Sequence, residues 1–130
     1  MLEIYVAHSR DFDYKTELYA PLRNSTLNSQ YRFILPHETD EFVNSKEIIR
    51  KSNLVIAEVS YPATGEGIEL GWADSFLIPI LCLYKEGAKP SGSLKAVTNT
   101  IVSYSDIVDM INKIESFLSQ GDFSVHQVVK

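Results

Sequence analysis

The stretch of sequence that decides the fold is NLVIAEVSYPATGEGIELGWA, residues 53–73. Its apolar first half predicts a strand in the middle of a sheet, where both faces of a strand are covered. A turn with Gly65 and Gly67 follows, and we expect a helix over residues 66–77. The glycines let the backbone approach a ligand closely, and the helix start offers unpaired N–H groups. This environment favours an anion and keeps the carboxylate of Glu69 ionised, as a nucleophilic carboxylate requires.

Apolar strands alternate with helices along the whole chain. Strands are predicted at residues 2–7, 31–35, 54–59, 78–84 and 100–104, and helices at residues 14–22, 42–52, 66–77 and 107–118, with a short helix at 93–98. Such alternation with short joins predicts a parallel sheet covered on both faces. We therefore expect one α/β domain over residues 1–130, a flavodoxin-like (Rossmann-like) three-layer sandwich whose five-stranded parallel sheet has the order 2-1-3-4-5.

The strand order also predicts where a ligand binds. In open parallel sheets, ligands bind beyond the carboxyl ends of the strands, at the point where the strand order reverses. For this order the point lies between the first and third strands. The loops that begin at His8 and Ser60 are therefore expected to form the site.

Composition and charge exclude several kinds of partner. The chain has 130 residues and a net charge of -5, so no basic field would draw it to nucleic acid or to anionic lipid. No apolar run is long enough to span a bilayer, and the amino terminus lacks the pattern of a signal peptide, so we expect a cytoplasmic protein. The lone Cys82 and the scattered His8, His37 and His126 lack metal-ligand spacing, so neither a metal nor another cofactor is expected.

The run AEVSYPATGEGIELGWA, residues 57–73, resembles the nucleoside 2-deoxyribosyltransferases and, more closely, the 2′-deoxynucleoside 5′-phosphate N-hydrolases. The likeness extends from Ile4 to the region of Ser93, but only the segment around Glu69 is specific. By this resemblance Glu69 is the nucleophile that attacks the anomeric carbon of a deoxyribose. The implied activity is cleavage or transfer of the N-glycosidic bond of a (deoxy)nucleoside or its 5′-monophosphate.

The resemblance assigns further site residues, each with a plain structural alternative. Tyr5 matches an active-site tyrosine whose hydroxyl lies near the nucleophile, or it is a core aromatic with a hydrated hydroxyl. Ser9 and Arg10, in the loop that begins at His8, would meet the sugar or the phosphate, although Arg10 is equally explained as a surface arginine. His37 matches a histidine on the base side of the pocket, or it is a solvated loop histidine.

The resemblance also implies a homodimer or a higher homo-oligomer. Ser93 falls where the hydrolases contribute a phosphate-binding serine across a dimer interface, while a helix N-cap would explain the same residue. In the glycine turn, Gly65 and Gly67 are expected to contact the substrate. Ala63 stands where the hydrolases place another phosphate-binding serine, so a monophosphate preference is open.

Two acidic positions of the family are not acidic in this chain. An ungapped count places Ser45 where the family has an aspartate that partners the nucleophile, and Asn53 replaces a second acid at the start of the third strand. Glu47 or Glu66 could supply the missing carboxylate. Because Glu66 lies three residues before Glu69 on the same helical face, the two like charges would raise one pKa. The favoured interpretation of Glu66 is nevertheless an exposed glutamate at a helix start.

Other functions on the same fold are also considered. A response-regulator receiver needs an aspartate at the end of the third strand and a lysine after the fifth, and neither is present. An FMN protein needs a phosphate loop that the residues after the first strand do not provide. Two alternatives stay open: a non-catalytic nucleotide-binding or sensor module, and an NAD glycohydrolase of the TIR type.

Overall fold

A computed structural model describes residues 1–121 of the chain. Its strands are β1 (Glu3–His8), β2 (Arg32–Ile34), β3 (Leu54–Glu58), β4 (Ile80–Lys85) and β5 (Ile101–Tyr104), and its α-helices are α1 (Ala20–Asn24), α2 (Ser45–Lys51), α3 (Thr64–Ser75) and α4 (Ile107–Ser119). A π-helical turn, Lys15–Tyr19, leads into α1, and 3₁₀ turns occupy Thr26–Ser29 and Gly92–Ala96. Within this part of the chain no helix is long and apolar enough to cross a membrane. His126 lies outside the described residues.

The sheet has the predicted topology. Its five strands are all parallel and lie in the order β2-β1-β3-β4-β5, which confirms the fold class. The pairing of β1 with β3 ends where His8 lies opposite Glu58. The loops that begin at His8 and Ser60 therefore start side by side at the carboxyl edge of the sheet.

The two faces of the sheet pack into separate hydrophobic cores. Along β1, Ile4 and Val6 join the core that α1 and α4 cover. Tyr5 and Ala7 face the other way, into a core that contains Ile49 of α2 and residues of α3. This alternation follows from the two-residue period of a strand, and it directs Tyr5 toward the helix that carries Glu69.

Several helix boundaries differ from the sequence prediction. The second helix begins at Ser45 rather than at residue 42, because the side chain of Asn44 caps it by accepting the N–H of Glu47 at 3.3 Å. Phe42 is 91% exposed, so the prediction that it lies on the apolar face of this helix is wrong. Helix α3 begins at Thr64, two residues early. The short helix predicted at residues 93–98 is the 3₁₀ turn Gly92–Ala96.

A buried carboxylate joins the ends of three strands. Glu58 is 1% exposed, and it accepts hydrogen bonds from the Ser60 N–H at 2.8 Å, from the Ser60 hydroxyl at 2.7 Å and from the Tyr104 hydroxyl. The Ser60 Oγ in turn accepts the N–H of Lys85 at 2.8 Å. Because β3, β4 and β5 are tied together here, the loop from Ser60 to α3 has a fixed starting point.

We expect the substitution Glu58→Ala to destabilise the fold by about 3 kcal/mol, because it leaves the buried Tyr104 hydroxyl and the Ser60 N–H without their acceptor. Urea unfolding followed by circular dichroism measures this as a lower midpoint with an unchanged slope. An unchanged midpoint would show that these hydrogen bonds contribute no net stability.

Candidate active site

Glu69 lies at the centre of a polar group of side chains from three elements. From β1, the hydroxyl of the fully buried Tyr5 donates a hydrogen bond to Oε2 of Glu69 at 2.7 Å. From the first residue of α2, the side chain of Ser45 lies near the Glu69 carboxylate and lowers its pKa. The structure therefore brings together the three residues predicted to be catalytic, and the ungapped count that placed Ser45 near the nucleophile agrees with its position.

Opposing influences set the charge of Glu69. Burial raises the pKa of its carboxyl, whereas the hydrogen bond from Tyr5 and the nearby side chain of Ser45 lower that pKa. The pKa of Tyr5 is raised, first by burial and then by the nearby charge of Glu69, so its hydroxyl keeps its proton as a donor. The arrangement can hold an ionised carboxylate in a largely water-excluded position, which is the state that a nucleophile needs.

We expect Tyr5→Phe to reduce turnover roughly 10- to 100-fold, because one hydrogen bond to a charged group is lost while the ring keeps its packing. Since that bond lowers the pKa of Glu69, the acidic limb of the kcat profile should move to higher pH. Steady-state kinetics across pH measure both effects. A variant with wild-type kcat and an unmoved acidic limb would show that Tyr5 is only a core aromatic.

Glu69 opens into a cleft of about 270 Å³ at the carboxyl edge of the sheet. We call it the polar cleft. Besides Glu69, it is lined by the predicted site residues His8, Ser9, Arg10, His37, Ala63 and Gly65, together with Asp11 and Glu66. Predicted residues from three separate segments, the loop after β1, the loop after β2 and the start of α3, thus border one cavity. Whether they bind substrate stays a prediction.

His8 is held neutral and already uses both ring nitrogens. Its Nδ1 lies 2.7 Å from the carbonyl oxygen of Ser9, so Nδ1 carries the proton, and its Nε2 accepts from the Tyr19 hydroxyl at 2.6 Å. Burial lowers the pKa of the imidazole to about 4. The ring stacks on Tyr14, with 4.4 Å between centroids, and meets His37 edge to face. His8 therefore has no free hydrogen-bond donor to offer a ligand in the cleft.

Ser9 and Arg10 differ in whether their side chains already have a partner within the protein. The Ser9 hydroxyl oxygen accepts the N–H of Asp11 at 2.9 Å, which fixes the turn after β1. Arg10 is exposed and has no ion-pair partner within residues 1–121. Its charge lowers the pKa of His37, although burial has the larger effect on that histidine. Arg10 is thus a cation at the mouth of the polar cleft.

Gly67 and Ser93 do not line the polar cleft. They border a second, mainly apolar cavity of about 460 Å³ between α3 and the 3₁₀ turn, which we call the apolar cleft. The alternative role of Ser93 as an N-cap is wrong, because the cap is Ser91, whose Oγ accepts the N–H of Ser93. Ala63 and Glu66 border both clefts, so the first turn of α3 separates them.

Glu66 is buried, and the expectation that it is an exposed helix-start residue is wrong. It is 5% exposed, and its Oε2 has no hydrogen-bond partner. Burial first, and then the charges of Glu58 and Glu69, raise the pKa of Glu66 to about 9. Glu66 lies four residues before the buried Leu70, so both side chains are on the face of α3 that packs against the sheet.

Glu47, considered as a replacement for the missing family aspartate, and Asn53, which replaces the second family acid, both lie away from the polar cleft. Glu47 is exposed and pairs with Arg50 at 3.4 Å, so it does not supply a carboxylate to the site. Asn53 precedes β3 at the opposite edge of the sheet, where its Oδ1 accepts the N–H of Glu3 at 2.9 Å. In the described residues, no group of three or more histidine, cysteine, aspartate or glutamate side chains is arranged to hold a metal ion.

Comparisons with known proteins support the predicted resemblance. No protein-family model matches the chain. The chain is 33% identical over 75 residues to a protein of Syntrophotalea carbinolica named as a candidate 2′-deoxynucleoside 5′-phosphate N-hydrolase, covering 55% of this chain and 53% of that relative. It is 40% identical over 48 residues to a 5-hydroxymethyl-dUMP N-hydrolase of Mus musculus, covering 35% and 28%. The chain thus spans about half or less of the length of these curated relatives.

Solved structures match over a larger share of the chain. A CMP N-glycosidase from Clostridium botulinum superposes with a TM-score of 0.64 at 18% identity, covering 87% of this chain and 98% of that one. A 2-deoxyribosyltransferase from Leishmania mexicana superposes with a TM-score of 0.58 at 16% identity, covering 88% and 98%. At these identities the likeness establishes the fold. Together with the curated relatives, it confirms the resemblance to the deoxyribosyltransferase and N-hydrolase group.

Proposed function

We propose that the protein cleaves or transfers the N-glycosidic bond of a (deoxy)nucleoside or its 5′-monophosphate, with Glu69 as the nucleophile. The observation that carries this proposal is the Glu69 carboxylate at the edge of the polar cleft, held by the Tyr5 hydroxyl at 2.7 Å and lying near Ser45. The relatives are named for cleavage at this bond, which favours an enzyme over a sensor module and nucleotide cleavage over NAD cleavage.

The chemistry follows from the position of the carboxylate. Glu69 attacks C1′ of the sugar as the base leaves, through a transition state with oxocarbenium character, and forms a glycosyl ester. Water then releases the sugar, or a second base takes it up. The Tyr5 hydroxyl holds the attacking carboxylate in place before the reaction, which reduces the entropy cost of reaching the transition state.

Two features of the polar cleft would bind an anionic group of the substrate. Arg10 supplies a positive charge, and the N-cap residue of α3, Ala63, provides no side-chain cap, so the first N–H groups of the helix are open to an acceptor. Both features support a 5′-phosphate as part of the substrate. The family serine that Ala63 replaces would add one further hydrogen bond to such a group.

A base-release assay tests the proposal. The protein is incubated with deoxynucleosides and with their 5′-monophosphates, with and without an acceptor base, and free base and new nucleoside are separated by chromatography. Release from monophosphates alone supports a hydrolase of nucleotides, and products that need an acceptor support a transferase. Binding of nucleotides without any release or exchange would contradict an enzymatic function.

The proposal includes a homodimer in the cytoplasm. Its support is the position of Ser93, exposed at the rim of the apolar cleft, and of Ile68, which is half exposed on the outer side of α3. A second copy packed on this rim would bring Ser93 toward a neighbouring site. Light scattering at working concentrations distinguishes a monomer from a dimer.

A further inference from the structure

Two carboxyl groups border the polar cleft from the same helix in different environments. Glu69 accepts a hydrogen bond from the Tyr5 hydroxyl at 2.7 Å and lies near Ser45, and both neighbours favour its ionised form. Glu66, one turn earlier, is 5% exposed, and its Oε2 has no partner. A buried carboxyl without donors is stable only as the neutral acid. Hydrogen bonding alone therefore assigns the negative charge to Glu69 and the proton to Glu66.

The surroundings of Glu66 agree with this assignment. The charged groups that act on it are Glu58 from β3 and Glu69 from α3, both acidic. Glu66 in turn acts on Cys82 of β4, whose thiol pKa is raised by burial and by Glu66. The cation on the same cleft, Arg10, is exposed at its mouth. The pKa of Glu66, raised to about 9, means that the acid keeps its proton at neutral pH.

We propose that Glu66 is the catalytic acid that protonates the leaving base and then the base that activates water. This inference rests on the proposed function of Glu69. Two carboxyl groups whose environments separate their pKa values are the arrangement that retaining glycosidases use for an acid and a nucleophile. Residues three apart on a helix have Cβ atoms about 5–6 Å apart, a spacing suited to flanking one glycosidic bond.

The two steps balance in atoms and charge. In the first, the Glu69 carboxylate forms a bond to C1′ while the C1′–N bond breaks, and the departing base takes its electron pair and the proton of Glu66. In the second, water attacks C1′, the ester bond to Glu69 breaks, and the Glu66 carboxylate accepts the proton of that water. The enzyme returns to its starting state, with an ionised Glu69 and a protonated Glu66.

The experiment compares leaving bases of different acidity in wild-type protein and in Glu66→Gln. Thymine, uracil and 5-fluorouracil deoxynucleosides are used, as nucleosides or 5′-monophosphates according to which the wild type accepts. We expect Glu66→Gln to lower kcat about 10²- to 10⁴-fold for thymine and much less for the more acidic 5-fluorouracil. The alkaline limb of the wild-type kcat profile should disappear in this variant.

The matched control is Glu47→Gln, which makes the same carboxyl-to-amide change at an exposed residue and should behave as wild type. If Glu66→Gln does not fold, Glu66→Met provides a side chain of similar length without an acidic proton. Equal losses for all bases with an unchanged pH profile, or no loss at all, would overturn the role of Glu66 and leave Glu69 as nucleophile. A wild-type protein that releases no base would instead remove the proposed function and this inference with it.

Discussion

Replacing Glu69 by glutamine should lower base release by at least about 10³-fold, because the amide cannot form the glycosyl ester. The fold should persist, since Glu69 lies at the edge of a cleft and the Tyr5 hydroxyl can donate to the amide oxygen of glutamine as it does to the carboxylate. Turnover is measured by chromatography of free base, and folding by thermal denaturation.

Glu115→Gln provides a matched control, because Glu115 is an exposed glutamate on α4. It should keep both wild-type turnover and wild-type melting temperature. Undiminished turnover in Glu69→Gln would exclude Glu69 as the nucleophile. A fall in turnover that accompanied loss of the fold would assign Glu69 a structural role instead.

Replacing Glu66 by glutamine should stabilise the protein increasingly as the pH rises. The pKa of Glu66 is about 9 in the folded protein and has an ordinary value of 4.5, so below pH 4.5 the residue is neutral in both states and contributes no pH dependence. At pH values between 4.5 and about 9, the Glu66 carboxyl loses its proton in the unfolded chain but keeps it in the folded protein. The free energy of unfolding of the wild type therefore falls by about 1.4 kcal/mol per pH unit from this group.

The glutamine variant lacks this titration, so its advantage should grow by about 4 kcal/mol between pH 5 and pH 8. Urea unfolding of both proteins at several pH values measures the difference. Parallel curves for wild type and Glu66→Gln would show that Glu66 is hydrated and ionised in the folded protein, against the burial of its carboxyl.

The sheet could be predicted from the sequence because its strands are short apolar runs separated by clear turn signals. In β3, for example, the run LVIA has no alternation of apolar and polar residues, so neither face of the strand is polar. This pattern predicts a central parallel strand without knowledge of its neighbours. The strand order then followed from the alternation of elements. The position of the site at the ends of β1 and β3 is a consequence of that order.

Helix starts were predicted less well, and the site depends on one of them. The sequence GEGIEL offers no strong cap, so the start of α3 depends on tertiary contacts of the loop that Glu58 anchors. Glu66, which was expected at the surface near this helix start, lies on the buried face of α3. The wrong prediction for Phe42 has the same origin. The local sequence pattern is the same whether this phenylalanine packs on the apolar face of a helix or is exposed outside it.

The sequence pattern could not predict which side chains form hydrogen bonds with each other across the sheet. Tyr5 and Ser45 were placed near Glu69 by resemblance, and the structure supplies the 2.7 Å hydrogen bond that gives the placement a physical meaning. The pairing of Glu58 with Tyr104 spans 46 positions of sequence and involves residues that no motif marks. Such contacts depend on strand register, which apolar periodicity leaves undetermined for buried parallel strands.

The nucleophilic role of Glu69 can be tested directly by mass spectrometry of the enzyme during turnover. A 2′-fluoro-substituted arabinosyl nucleoside or nucleotide slows both chemical steps, because the fluorine destabilises the oxocarbenium-like transition state. After an acid quench, the peptide that contains Glu69 should carry the mass of one sugar or sugar phosphate, and the same peptide from Glu69→Gln should be unmodified. Base release with the adduct on another residue, or with no adduct on any peptide, would contradict the account.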